Sequence, residues 1–227
     1  GPGPTISSPE NFEAGAYVLS EIDGPDGYTA GAWVCDGGSQ DGNTVTLALG
    51  ESANCTLTND DEAPSLTLNK AVKNDNGGTA KATDWTLNAA GPTPLSGPGP
   101  SVSSPANFKA GSYTLSESTG PGGYAALGWV CDGGSQQGST VTLALGESAS
   151  CTITNDDQAP SLTLDKIVIN NNGGTSSESD WTLFANDGPT PVSGPGAAGS
   201  TDVQSGADFE IGTYNLSEST GPAGYTA

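Results

Sequence analysis

The sequence predicts an all-β protein, a tandem array of β-sandwich modules of about 96 residues each. Three observations carry this expectation. The chain repeats itself: Trp33 and Trp129, Cys35 and Cys131, Cys55 and Cys151, Lys70 and Lys166, and Trp85 and Trp181 are each 96 positions apart. A period of that length marks whole domains, longer than the short units of a solenoid. The apolar segments SLTLNK, GSYTLSES, STVTLALGE and SCTITND alternate with period two, as half-buried strands do. Gly, Pro, Asn and Asp punctuate them, and no segment sustains a helical period. About seven short strands per module suit a two-sheet sandwich of the immunoglobulin-like kind.

Module boundaries fall at NDDEAP and NDDQAP, acidic linkers that each contain one proline. They divide the chain into the C-terminal part of a first repeat at 1–61, a complete repeat at 65–157 and the N-terminal part of a third at 161–227. Both ends fall mid-module, so the sequence reads as a window on a longer polypeptide. Linkers this short, with a proline, favour a semi-rigid rod. The third copy carries five extra residues between Trp181 and Phe209, as tolerated in a surface loop.

Composition narrows the partners. Twenty-six acidic residues face five lysines, for a net charge of −21, with no histidine. Phosphate recognition needs a basic surface, so nucleic acid and anionic membranes are disfavoured. No stretch is long and apolar enough to span a membrane. The four cysteines form two copies of one pair, Cys35/Cys55 and Cys131/Cys151. Without CxxC or histidine, zinc is a poor reading, and no metal or cofactor is expected. One disulfide per module is the natural reading, with buried free thiols as the alternative. Disulfides place the chain in an oxidising, extracellular compartment.

Strand parity singles out three residues of the complete module. Leu66, Leu68 and Lys70 share one face of the first strand; Tyr113, Leu115 and Glu117 share another; Cys151, Ile153 and Asn155 share a third. A lysine, a glutamate and an asparagine thus fall on apolar faces, which is costly unless they meet. If they meet, burial favours a neutral amine, and Lys70 can attack the Asn155 carboxamide while Glu117 moves protons. The alternative is a lysine that snorkels out at a strand end and a glutamate that caps an edge. Of the lysines only Lys70 recurs, as Lys166; the glutamate recurs as Glu21 and Glu218, and the asparagine as Asn59.

YTLSESTGPGGY, with its Tyr-x-Leu-x-Glu and following Pro-x-Gly-Tyr, resembles the E-box of Cna B-type (prealbumin-like) domains of bacterial surface adhesins and pilins. The lysine of SLTLNK and the asparagine of CTITND sit where that family places its crosslink partners. The resemblance implies a transthyretin-like sandwich with an autocatalytic isopeptide bond. Carried over, Lys70 is the nucleophile, Asn155 the acceptor and Glu117 the catalytic acid. Glu21 and Asn59 match in the first copy, and Lys166 and Glu218 in the third. The cysteine pair departs from such pilin domains, and Asp156 and Asp157 directly after Asn155 leave a one-register alternative for the acceptor.

Other signals are weaker. The turns KNDNGGT and INNNGGT and the linkers NDDE and NDDQ offer oxygen ligands for Ca²⁺ but lack an EF-hand pattern. No Ser/His/Asp set, metal cluster or phosphate loop supports an enzyme acting on an external substrate. The leading expectation is a structural stalk or fibre on a bacterial surface, its partners being further copies of the repeat. The alternative is an adhesin module whose loops 97–107 and 196–208 bind a host ligand or surface glycan.

Overall fold

The computed structural model describes residues 4–197 and 203–226; part of the 196–208 loop lies outside these. Strands are the main regular elements of every copy. The first contains β1 (Gly15–Val18), β2 (Tyr28–Ala30), β3 (Val34–Asp36), β4 (Ser39–Asp41), β5 (Thr44–Leu47), β6 (Asn54–Thr56) and β7 (Asn59–Asp61). The middle copy contains β8 (Ser65–Lys73), β9 (Thr86–Ala90), β10 (Leu95–Pro98), β11 (Ser101–Ser103), β12 (Gly111–Glu117), β13 (Tyr124–Asp132), β14 (Ser135–Gln137), β15 (Thr140–Leu143) and β16 (Ser148–Asp157). The third adds β17 (Thr182–Asn186), β18 (Val192–Pro195) and β19 (Asn215–Glu218). Helical structure among the described residues is confined to short 3₁₀ turns, such as Ala82–Asp84 and Glu178–Asp180.

The middle module is a sandwich of two sheets, one ordered β10-β9-β12-β15-β14 and the other β11-β8-β16-β13. It therefore has nine strands where periodicity suggests about seven. The extra two arise because the stretch from Leu95 to Ser103 changes sheets part-way, and because β14 folds back on β15 as a short edge strand. Alternation sets the layers. In β8 Leu66, Leu68 and Lys70 are buried while Thr67 and Asn69 are partly exposed, and in β16 Ala149, Cys151, Ile153, Asn155 and Asp157 are buried. Leu66, Leu68, Leu87, Tyr113 and Val141 form the centre of one core. Each such side chain contributes roughly 1.5–3 kcal/mol through burial.

One pairing decides the architecture of the site. β8 and β16, the first and last strands of the module, run parallel along their whole length, from Ser65 opposite Ser148 to Lys73 opposite Asp156. β13 completes that side antiparallel to β16, placing Cys131 directly opposite Cys151. The expected disulfides are present, Cys35–Cys55 and Cys131–Cys151, each staple joining neighbouring strands.

Candidate functional site

Lys70 and Glu117 come from opposite sheets and meet in the interior. Lys70 Nζ lies 2.7 Å from Glu117 Oε2; the lysine side chain is fully buried and that of the glutamate 12% exposed. Both end where alternation sends them, Lys70 beyond Leu66 and Leu68, Glu117 beyond Tyr113 and Leu115. Burial holds the Lys70 amine below the usual lysine range, while the hydrogen bond and charge of Glu117 pull it back up.

Asn155 stands on the neighbouring strand. Lys70 is in register with Ile153 and Asn155 with Val72, so the lysine and the asparagine are diagonal neighbours on one face of the parallel pair. Asn155 is 3% exposed, and its Oδ1 is buried without a hydrogen-bond partner. A buried, unsatisfied carbonyl is costly, which makes it an exceptional feature of a folded core. An amine out of water, a carboxyl against it and an adjacent unsatisfied carboxamide supply the groups an acyl transfer to the amine requires.

The two acids beside Asn155 are occupied elsewhere. Asp156 has the opposite parity and pairs with Lys73 at 3.2 Å. Asp157 shares the buried face, but its carboxylate accepts main-chain N–H bonds from Asp75, Asn76 and Gly78. Asp75, Asp156 and Asp157 thereby converge, their nearest carboxylate oxygens within 4.8 Å of one another. The ammonium of Lys73 already lies against Asp75 and Asp156.

Trp85, buried in the middle module, also belongs to the site. Lys70 Nζ sits 4.6 Å from the centroid of its ring, and Tyr124 meets that ring edge-on at 5.5 Å. Gly120 closes the other side. A Cβ there would fall 2.1 Å from Trp85 Nε1, and the residue has φ +64, so only glycine fits without strain. The signal available in the sequence was the common spacing of Trp and Lys: Lys166 lies 4.9 Å from the Trp181 ring, and Gly221 packs on Trp181 as Gly120 does on Trp85.

The partial copies show the same site in halves. In the third, Lys166 Nζ donates to Glu218 Oε2 at 2.5 Å, with side chains 17% and 24% exposed. In the first, Asn59 Nδ2 donates to Glu21 Oε1 at 2.9 Å on an exposed surface. The glutamate can therefore engage either partner.

The match to a family model agrees with this architecture. The family described as the prealbumin-like fold domain matches three consecutive segments, 3–57, 61–153 and 157–227. No curated protein matches the chain. Among solved structures the chain is similar to the Bacillus anthracis TIE protein, at 14% identity and a TM-score of 0.45, over 95% of this chain and 48% of that one. It thus spans about half the length of that structure. With nearly its whole length matched, the chain belongs to the prealbumin-like fold domain family, which it carries three times in tandem.

Proposed function

We propose that the chain is a non-enzymatic structural array, part of an extracellular stalk or fibre on a bacterial surface, whose complete module is closed by an autocatalytic Lys70–Asn155 isopeptide bond. The observation that carries this reading is the fully buried Lys70 amine, paired with Glu117 and on the same face of the parallel strands as an Asn155 whose carbonyl lacks a partner. In the reaction Glu117 takes the proton that Lys70 donates to it, the freed amine attacks Asn155 Cγ, and the Glu117 O–H so formed hydrogen-bonds the developing oxyanion. Glu117 then relays a proton from the attacking nitrogen to the departing one. The new amide C–N bond replaces the old one and ammonia leaves. The product exchanges an ionisable buried amine for a neutral amide, removing a source of desolvation cost.

The two kinds of crosslink act over different lengths. Cys131–Cys151 closes a loop of 20 residues, worth about 3 kcal/mol in the chain-entropy account. A Lys70–Asn155 bond would join first strand to last, worth about 4–5 kcal/mol in the same account. The net charge of −21 keeps neighbouring arrays hydrated and apart. Surface location is supported by the disulfides and the domain family.

The test is the intact mass of the reduced full chain. One ammonia less than the sequence demands, restored by Lys70→Ala, is the expected result; an unshifted mass sinks the isopeptide.

A further inference from the structure

The turn that follows β8 reaches out of its own module. Asn76 is only 8% exposed, yet its side chain points away from the middle core: Nδ2 donates to the main-chain carbonyls of Ala207 at 3.1 Å and Phe209 at 3.4 Å, in the third module. The main chain answers in the other direction, with the Ile211 N–H donating to the Asn76 carbonyl at 3.0 Å. Gly77 supplies the close approach. It has φ +91, and a Cβ there would lie 2.7 Å from Ile211 Cγ1.

Each half is also held within its own module. The turn is gripped from below by Asp157, whose carboxylate accepts the N–H groups of Asp75, Asn76 and Gly78. The facing segment is braced by Phe209 stacked on Tyr214, with centroids 4.8 Å apart, and by the Tyr214 hydroxyl donating to the Glu210 carbonyl. That brace recurs in every copy. Phe108 stacks on Tyr113 and Phe12 on Tyr17, and each tyrosine hydroxyl donates to the residue after its phenylalanine, Lys109 and Glu13. The turn recurs too: Asn172 and Gly173 occupy the positions of Asn76 and Gly77. Gly173 has φ +87, and a Cβ there would meet nothing within 4 Å.

We propose that the Asn–Gly turn and the Phe-centred segment are the two halves of a repeating head-to-tail joint, in which the turn of each module docks on the segment of the next copy. Asn76–Gly77 with 207–211 is one joint; Asn172–Gly173 and the segment 106–110 are the same two surfaces, fitted to further copies of the module. The neutral carboxamide suits this chain. It supplies two N–H donors to two carbonyls, where the carboxylates abundant elsewhere on the surface would repel them. The joint does not depend on the Lys70–Asn155 bond, and its failure would leave that bond untouched.

The experiment follows rotational diffusion of the full chain by ¹⁵N relaxation. The middle and third modules are expected to tumble as one body in the native chain and independently in Asn76→Asp, while chemical shifts of the β-strands stay in place. Ile211→Pro, which removes the donor from the third module instead, should separate them as well. A second reading uses the chemistry of Asn–Gly: the glycine nitrogen attacks the asparagine Cγ, ammonia leaves, and water opens the succinimide to aspartate or isoaspartate. Asn76 should deamidate several-fold faster in Ile211→Pro than in the native chain, with Asn172 unchanged. Independent tumbling in the native chain, joint tumbling in both variants, or an Asn76 rate indifferent to Ile211→Pro would each overturn the joint.

Discussion

Lys70 and Lys166 hold the same place in the repeat and meet the same glutamate, at 2.7 and 2.5 Å, yet one lysine side chain is fully buried and the other 17% exposed. The difference lies in what covers the pair. In the middle module β16 runs beside β8 and brings Ile153 and Asn155 over the lysine. In the third copy the pair opens onto a cavity of about 450 Å³ lined by Lys166, Trp181, Glu218 and Tyr225. The ion pair thus needs only the lysine segment, which in the third copy is not a strand, and the glutamate strand, while dryness comes with the last strand. That strand also carries the acceptor. Water exclusion and the proposed electrophile arrive together, so the proposed crosslink would require a closed module.

The comparison can be broken most severely at Glu117. Glu117→Gln keeps a hydrogen-bonding group of the same shape but removes the proton relay, and ammonia loss should slow by about 10²–10⁴-fold. A mass-spectrometric time course after refolding reads this directly, and unchanged kinetics would remove Glu117 from the mechanism. Asn155→Ala should leave the mass of the reduced chain equal to that of its sequence and lower the stability of the middle module by roughly 4–5 kcal/mol in denaturant titrations. Reducing Cys131–Cys151 in the native protein should cost less, about 3 kcal/mol, because its loop is shorter.

Gly120→Ala sharpens the comparison. It forces a Cβ against Trp85 and should cost about 1–3 kcal/mol, with slower crosslinking as the lysine becomes wetter. The pH dependence of the unlinked Asn155→Ala variant should be gentler still. Folded Lys70 has a lowered pKa, so the unfolded state binds the proton more readily. Stability from this group is fully present above the ordinary lysine value and is lost as pH falls through the lowered one; a stability profile flat across that alkaline window would contradict its burial. Lys166→Ala should change least, leaving the one-ammonia deficit as it was.

Much of the site was legible because side chains alternate strictly along the strands that carry it. Parity pointed Lys70 and Asn155 to buried positions and Glu117 to a partly buried one, and the paired spacing of the cysteines anticipated both disulfides. What parity could not supply was which strands are neighbours. The parallel contact of β8 with β16 depends on a pairing between the two ends of the module, which no local pattern encodes. The same limit applies to Trp85: it is buried like Leu87 two residues on, and its place beside Lys70 appears only when the strands assemble. Asp156 and Asp157 illustrate the point at one-residue scale. One looks outward to Lys73 and the other inward to the turn of β8, and only the register with β8 tells their tasks apart from that of Asn155.

The parallel run of β8 and β16 has a mechanical consequence. The polypeptide enters the module at Ser65 and leaves it after Asp157, so these two strands are the ones that feel tension applied along the array. Being parallel, they are loaded in shear, and their ladder must yield across its length at once rather than unzip bond by bond. A covalent tie at Lys70–Asn155 would shorten the strained path to a few residues of β8, the crosslink and the end of β16. The rest of the sandwich would then hang beside the line of force, folded and unstretched.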